Sequence, residues 1–237
     1  MKIRGQRECK DCGTRWAYYE TGNVECPSCG SVRSIGVEEE RTLHTASPRT
    51  LDLTPARDAL ADDEPLRRVA EAAAEITQEF TRGYGFIDAG ELQPLSDRYL
   101  AAMELRHAGS DLARRRAIDE AEEYYLLSLL QGDVGERPAP DEVPDSLQEA
   151  RGLAYATAVD EYRSDVRRYL DEHPDPAVDD VLGPLDTHLR RTRALDGAVP
   201  PSDSETLVTA VRDLRRYLAE DEETALATAT DRLEGLA

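Results

Sequence analysis

Several of the commonest chemical signatures are missing from this sequence. It has no nucleophile elbow, no phosphate-binding P-loop and no H-E-x-x-H helix, so the usual hydrolase, nucleotide-binding and metalloprotease readings have nothing to rest on, and no enzyme activity is expected. No apolar run comes near the roughly 18 residues of a membrane span, so no membrane partner is expected. The start, Met1-Lys-Ile-Arg-Gly-Gln-Arg-Glu8, lacks the apolar segment of a secretory signal, and a cytoplasmic protein with reduced thiols fits best. Aromatic residues make up only 5% of the 237 positions, while a 40% hydrophobic content still permits a real core. Lysine is confined to Lys2 and Lys10; every other basic residue is arginine. Cysteine occurs four times, and all four lie within residues 9–29.

Acid, by contrast, is abundant: 49 acidic residues stand against 29 basic ones, for a net charge of -20. The acids are spread through amphipathic segments and not gathered in a tail, which argues against a disordered acidic stretch. A folded chain with this much like charge repels itself in dilute buffer, and strong salt removes the penalty because the Debye length falls to about 3 Å at 1 M. The acid-rich, lysine-poor composition, high in alanine and arginine, resembles that of cytosolic proteins from salt-loving archaea. Residues 1–41 are neutral, with seven basic and seven acidic side chains, so the whole excess lies beyond them. Two modules with different surfaces are expected: a β module over 1–41, a linker over 42–54, and an acidic all-α domain over 55–237 that would subdivide near 132–144.

The strongest motif is Cys9-Lys-Asp-Cys12, thirteen intervening residues, then Cys26-Pro-Ser-Cys29. Two Cys-x-x-Cys knuckles at this separation supply four thiolates that can converge tetrahedrally on one metal ion, the all-cysteine arrangement of structural zinc. Gly13 and Gly30 follow the second cysteine of each knuckle, where the chain has to turn tightly. Thr14 to Glu20 is rich in strand formers, Thr21-Gly22-Asn23 reads as a turn, and Ser31 to Val37 offers a third short strand. About 40 residues bury too little surface to fold alone, so the metal supplies much of the stability; structural zinc contributes on the order of 10–16 kcal/mol in small fingers.

With the aromatic strand between them, the knuckles resemble the TFIIB-type zinc ribbon at the start of archaeal and eukaryotic initiation factors. The resemblance covers about residues 5–40, rests on Cys9, Cys12, Cys26 and Cys29, and has a shorter insert than those ribbons. It implies one zinc ion and a protein partner, with RNA polymerase the partner that such ribbons dock on. The chain as a whole looks like a haloarchaeal zinc-ribbon family to which no activity is attached. A rival resemblance is to rubrerythrin, in which a rubredoxin-like iron module joins a four-helix bundle with a di-iron site. That site uses a Glu-x-x-His on each of two helices plus further carboxylates. This sequence offers one, Glu104-Leu-Arg-His107, and no second.

Beyond residue 50 the apolar spacing is helical throughout, and about six helices are expected, packed as a bundle. The first starts at Asp62-Asp63 and Pro65 and stops at Gly83. Gly83 to Gly90 is a loop whose glycines miss the dinucleotide-binding spacing. Ser96 caps a second helix that runs through His107 and is ended by Gly109, and Ser110 caps a third. A long fourth carries Tyr155, Val159, Tyr162, Val166 and Tyr169. A fifth contains Pro184, which should kink or split it, and a last one runs from about Ser204. Two segments echo each other at six of eight positions, Asp165 to Glu172 and Asp213 to Glu220, a match that amphipathic arginine-rich helices reach by coincidence. Arginine runs such as Arg114-Arg-Arg116 pair with nearby acids more readily than with phosphates. Direct nucleic-acid binding by the helical region would oppose its charge, so any such contact belongs to the neutral ribbon.

Strand alternation after the first knuckle puts Trp16 and Tyr18 on one face, flanked by Arg15 and Arg33. A ribbon is too thin to bury both faces internally. These four residues therefore either dock on the protein's own helices or form an exposed patch for a partner, the role that aromatic and arginine side chains most often fill.

Overall fold

The computed structural model describes residues 1–236. It shows an N-terminal region of short strands around the cysteines, followed by a mostly helical region. Two compact units emerge from its internal contacts. The first gathers Met1–Arg49, Gly83–Gln93 and Asp165–Pro174; the second is formed by the remaining chain.

The first unit is built on strands β1 (Lys2–Ile3), β2 (Gln6–Cys9), β3 (Arg15–Ala17), β4 (Ser34–Gly36) and β5 (Thr42–Leu43), the short helix α1 (Tyr18–Thr21), and the hairpin β6 (Ile87–Asp88) and β7 (Glu91–Leu92). An antiparallel sheet runs in the order β3-β2-β4, and β1 pairs with β5. In the larger sheet Arg7 lies opposite both Trp16 and Gly36, while Glu8 lies opposite both Arg15 and Ile35. Directly opposed residues share a face, so Trp16 and Arg15 are on opposite sides. The third strand falls where the sequence places it. The strand expected to reach Glu20 instead stops at Ala17: Tyr18 opens α1, and Gly22, in the left-handed region at φ 61°, closes it by donating its N–H to the Tyr18 carbonyl at 2.7 Å. The β6–β7 turn has Ala89 at φ 49° and Gly90 at φ 89°, the two positive angles that a two-residue hairpin matching strand twist requires. Asp165 holds the unit's three segments together. Its buried carboxylate accepts hydrogen bonds from the Phe86 N–H and the Thr45 hydroxyl, both at 2.6 Å, and pairs with Arg168 at 2.8 Å.

In the second unit the helices are α2 (Thr54–Ala61), α3 (Leu66–Thr81), α4 (Asp97–Arg114), α5 (Glu120–Leu129), α6 (Gln148–Leu170, whose last residues from Asp165 belong to the first unit), α7 (Asp179–Ala194), α8 (Pro201–Glu220) and α9 (Glu223–Glu234). Eight helices among the described residues thus replace the six expected. Two of them, α2 and α9, are short pieces at either end of the region. The separation of α8 from α9 comes from Asp221, which takes a left-handed φ of 54° that no glycine or proline announces. Of the stripe expected on the longest helix, Tyr155, Val159, Tyr162 and Val166 on α6 are buried while Tyr169 is half-buried, and on α7 Val181, Leu182, Leu185 and Leu189 are buried.

Two expected breaks do not occur. Gly109 does not end a helix; α4 continues through it to Arg114. A Cβ there would sit 2.8 Å from the Ala70 carbonyl oxygen and 3.3 Å from the Ala74 Cβ, so the glycine serves the close approach of α3 to α4. The next helix then starts at Glu120, not at Ser110, behind a capping box in which Asp119 and Glu122 satisfy each other's backbone N–H groups. Pro184 lies inside an unbroken α7. Its missing hydrogen bond leaves the carbonyl of Asp180, an exposed residue that water can serve. The preceding residue, Gly183, has no Cβ for the proline ring to crowd.

Candidate metal centre

Both knuckles fold by the same local rule. After Cys9, on the last residue of β2, the chain reverses with Gly13 donating to the Cys9 carbonyl at 3.1 Å and Cys9 donating to the Thr14 carbonyl at 2.9 Å. After Cys26 the pattern repeats, Gly30 donating to the Cys26 carbonyl and Cys26 to the Ser31 carbonyl, each at 2.9 Å. Gly13 at φ 75° and Gly30 at φ 72° occupy the left-handed region that these turns require. Each turn therefore aims two side chains at one point. The four Sγ atoms of Cys9, Cys12, Cys26 and Cys29 all lie within 4.8 Å of one another.

Trp16 closes the inner side of the cluster. It forms a buried core with Cys9 and Cys26, is itself only 7% exposed, and donates its Nε1–H to the Asn23 carbonyl at 3.2 Å. Cys12 and Cys29 face solvent. The Asp11 carboxylate ties the two knuckles together, accepting from the Ser31 hydroxyl at 2.5 Å and from Arg33 at 2.8 Å. Ser34 donates to the Val24 carbonyl at 2.6 Å and accepts from Arg7, linking β4 to the approach of the second knuckle.

The donor set fits a thiophilic cation. The backbone N–H of Asp11 points at the Cys9 sulfur at 3.4 Å, a hydrogen bond that stabilises a thiolate. Hydrogen bonds from Thr14 hold the Cys12 thiol down, to about 6. Cys29 accepts from the Ser31 backbone, which lowers it, yet the neighbouring sulfurs of Cys12 and Cys9 push it up to about 12. One sulfur is poised to ionise while another resists. Four thiolates cannot crowd together without a cation, and a divalent ion at their centre would displace the remaining protons.

The sequence-derived residues meet different fates. The four cysteines converge. Arg15 and Arg33 stay at the surface, with side chains 69% and 73% exposed, paired to Glu8 at 2.6 Å and Asp11 at 2.8 Å. Trp16 is buried beneath the knuckles against Cys9 and Cys26 and is not part of an exposed patch. Tyr18 lies half-buried in α1, its ring edge-on to His44 at 6.0 Å, with Tyr19 packed on the same imidazole at 4.9 Å. Four residues do not form one surface because β3 alternates and then ends. Asp11, Thr14 and Ser34, which brace the centre, carry no mark in the sequence beyond being polar near a knuckle.

Glu104 and His107 of α4 are not joined. Glu104 is fully buried, accepting hydrogen bonds from Tyr125 and from Tyr155 at 3.0 Å and pairing with Arg151 at 3.0 Å. Burial raises its carboxyl above the ordinary range against the pull of Arg151. His107 instead lines a cleft with Asp111, Ser146 and Glu149. Among the described residues only the cysteines gather as metal ligands, and no helix is long and apolar enough to cross a membrane.

The family model described as a family of unknown function, DUF7117, matches residues 1–233. No curated protein and no solved structure matches the chain.

Proposed function

The chain belongs to this family of unknown function, and from that premise we propose that it is a non-enzymatic interaction protein whose N-terminal ribbon is closed by one zinc ion. Cys9, Cys12, Cys26 and Cys29 hold the ion, which acts structurally: a small strand region with a three-residue core gains its fold from the metal bonds. The observation that carries the reading is the convergence of all four sulfurs within 4.8 Å. A closed four-sulfur shell leaves no open position for a substrate, as catalytic zinc sites do.

The partner is a protein, met by the outer face of the β3-β2-β4 sheet, where Arg15, Glu8 and Ile35 stand in register. The likeness to initiation-factor ribbons names RNA polymerase as the first partner to try. The acid excess is read as adaptation to a salt-rich cytoplasm, the compartment in which such thiols stay reduced.

Elemental analysis of the purified chain tests the metal. One zinc per chain is expected, and Cys26→Ser should abolish it while leaving most of the helical circular dichroism signal. One iron per chain with visible thiolate-to-iron absorption would overturn the zinc assignment. For the partner, binding to purified RNA polymerase in multimolar KCl should weaken at least tenfold on Arg15→Glu; equal binding would remove this face from the reading.

A further inference from the structure

The four sulfurs are not equivalent. Cys9 and Cys26 are 2% exposed and face Trp16, whereas Cys12 and Cys29 face solvent. Two of the sulfur approaches that cross between the knuckles, Cys9 to Cys29 and Cys12 to Cys26, are at 3.6 Å, while the two exposed sulfurs, Cys12 and Cys29, also neighbour each other within 4.8 Å. Each of the 3.6 Å contacts joins one exposed sulfur to one buried sulfur. An oxidant arriving from solvent thus meets a sulfur whose protected neighbour already lies beside it.

We propose that the cluster is a peroxide-responsive site, in which oxidation joins Cys12 to Cys26 or Cys29 to Cys9 and releases the ion. This inference rests on the zinc reading given above. In the first step the exposed thiolate attacks one oxygen of hydrogen peroxide, the O–O bond breaks, and the departing hydroxide takes a proton from solvent, leaving a sulfenic acid. The buried thiolate across the knuckles then attacks the sulfenic sulfur. The S–S bond forms, the S–O bond breaks, and the oxygen leaves as a second water after taking another proton. Two sulfurs have given up one electron each, and one peroxide has been reduced to two waters. Two thiolates remain, too few to hold the ion, so it leaves. A second peroxide closes the other pair in the same way.

The pairing decides what happens to the fold. A disulfide within one Cys-x-x-Cys would leave the knuckles free to part once the ion had gone. A disulfide between knuckles replaces the metal's cross-link with a covalent one, so Trp16 stays covered by Cys9 and Cys26. Reduction in the presence of zinc then restores the original centre without refolding from a separated state.

The test uses the full-length chain loaded with zinc, its content first measured by elemental analysis. Hydrogen peroxide is added in equivalents while a chromogenic zinc chelator reads release and non-reducing peptide mass spectrometry maps the disulfides. About one zinc should leave per chain as the first disulfide forms, with the cross-links Cys12–Cys26 and Cys9–Cys29. Trp16 emission should stay blue-shifted in the oxidised form and turn red when a chelator strips zinc from the reduced form. Any other pairing, sulfinic acid without disulfide, or full zinc retention at millimolar peroxide overturns the inference while leaving the zinc reading intact. A chain holding no zinc at the outset overturns both.

Discussion

Trp16 is the single apolar side chain that both knuckles share, and its loss should be felt at the metal. Trp16→Ala removes a buried indole and its hydrogen bond to Asn23, a change of about 3–5 kcal/mol in an ordinary core. Chelator competition is expected to strip zinc from the variant at much lower chelator concentration than from the parent chain; unchanged competition would mean that the metal alone shapes the ribbon. Arg151 plays a comparable part among the helices. Its guanidinium is fully buried, stacked 4.7 Å from the Tyr155 ring centre, with Nη1 bonded to Glu104 and to the Pro138 carbonyl and Nη2 paired with Glu205 at 3.5 Å. Arg151→Met should destabilise by about 3–5 kcal/mol because it strands the Glu104 charge, and adding Glu104→Leu should recover much of the loss. Urea unfolding of the two singles and the double decides this. The histidines set an acid limit. Burial holds His44 below its usual range, and burial with Arg106 pushes His107 down to about 4. His107 thus stays neutral in the folded chain down to about 4 and His44 is harder to protonate than a free imidazole, whereas the unfolded chain takes up these protons near pH ~6.5. The unfolded state then binds more protons, so stability falls as pH drops from there toward 4. His107→Asn should flatten that fall in urea titrations between pH 7 and 4.5, and an unchanged slope would count against the assignment.

At the scale of elements, close packing and buried acids matter more than local propensity. Gly109 is the test case. Alanine would gain about 1 kcal/mol of helix propensity, but its Cβ would meet the Ala70 carbonyl oxygen at 2.8 Å, and overpacking of this kind costs about 1–3 kcal/mol. The clash should win, and Gly109→Ala should lower the urea midpoint. The echoed segments on α6 and α8 share a device as well as letters. Asp165 and Asp213 are both buried, each pairs with the arginine three residues on, and each also binds a separate segment: Phe86 and Thr45 for the first, Arg232 of α9 for the second. Asp213→Asn should therefore loosen α9, seen as faster amide exchange over Glu223–Glu234, and exchange unchanged there would show that apolar contacts alone hold it. The helical stripe of α6 was legible because burial on one face imposes the 3.6-residue period on sequence. The ends of α4, α5 and α8 were not. Gly109 looks like a stop until the neighbouring helix is known, and Asp221 carries no turn signal at all.

For the whole molecule, the dominant quantity is the charge of -20. Much of it is met locally, as where Asp97 serves both Arg137 and Arg212 and Asp160 serves both Arg163 and Arg193, yet 20 acids have no basic counterpart. Thermal melting followed by circular dichroism should show stability still rising between ~0.15 M and multimolar KCl, beyond the range where ordinary surface pairs are already screened. Equal midpoints would refute the salt-adapted reading. The cysteine cluster, the helical character of the region after residue 50 and the charge imbalance were all readable from the residues alone. Each of these is written in spacing or composition: paired knuckles bring four sulfurs within reach of one point, a periodic stripe gives a helix one apolar face, and charges can simply be counted. That Trp16 faces the cysteines while Arg15 faces out emerged from the folded chain, because strand register is set by pairing with β2. Only the tertiary structure drew Gly83–Gln93 and Asp165–Pro174 into the first unit, since the hydrogen bonds of Asp165 to Thr45 and Phe86 join residues about 120 and 79 positions apart, and no local pattern records so distant a partner.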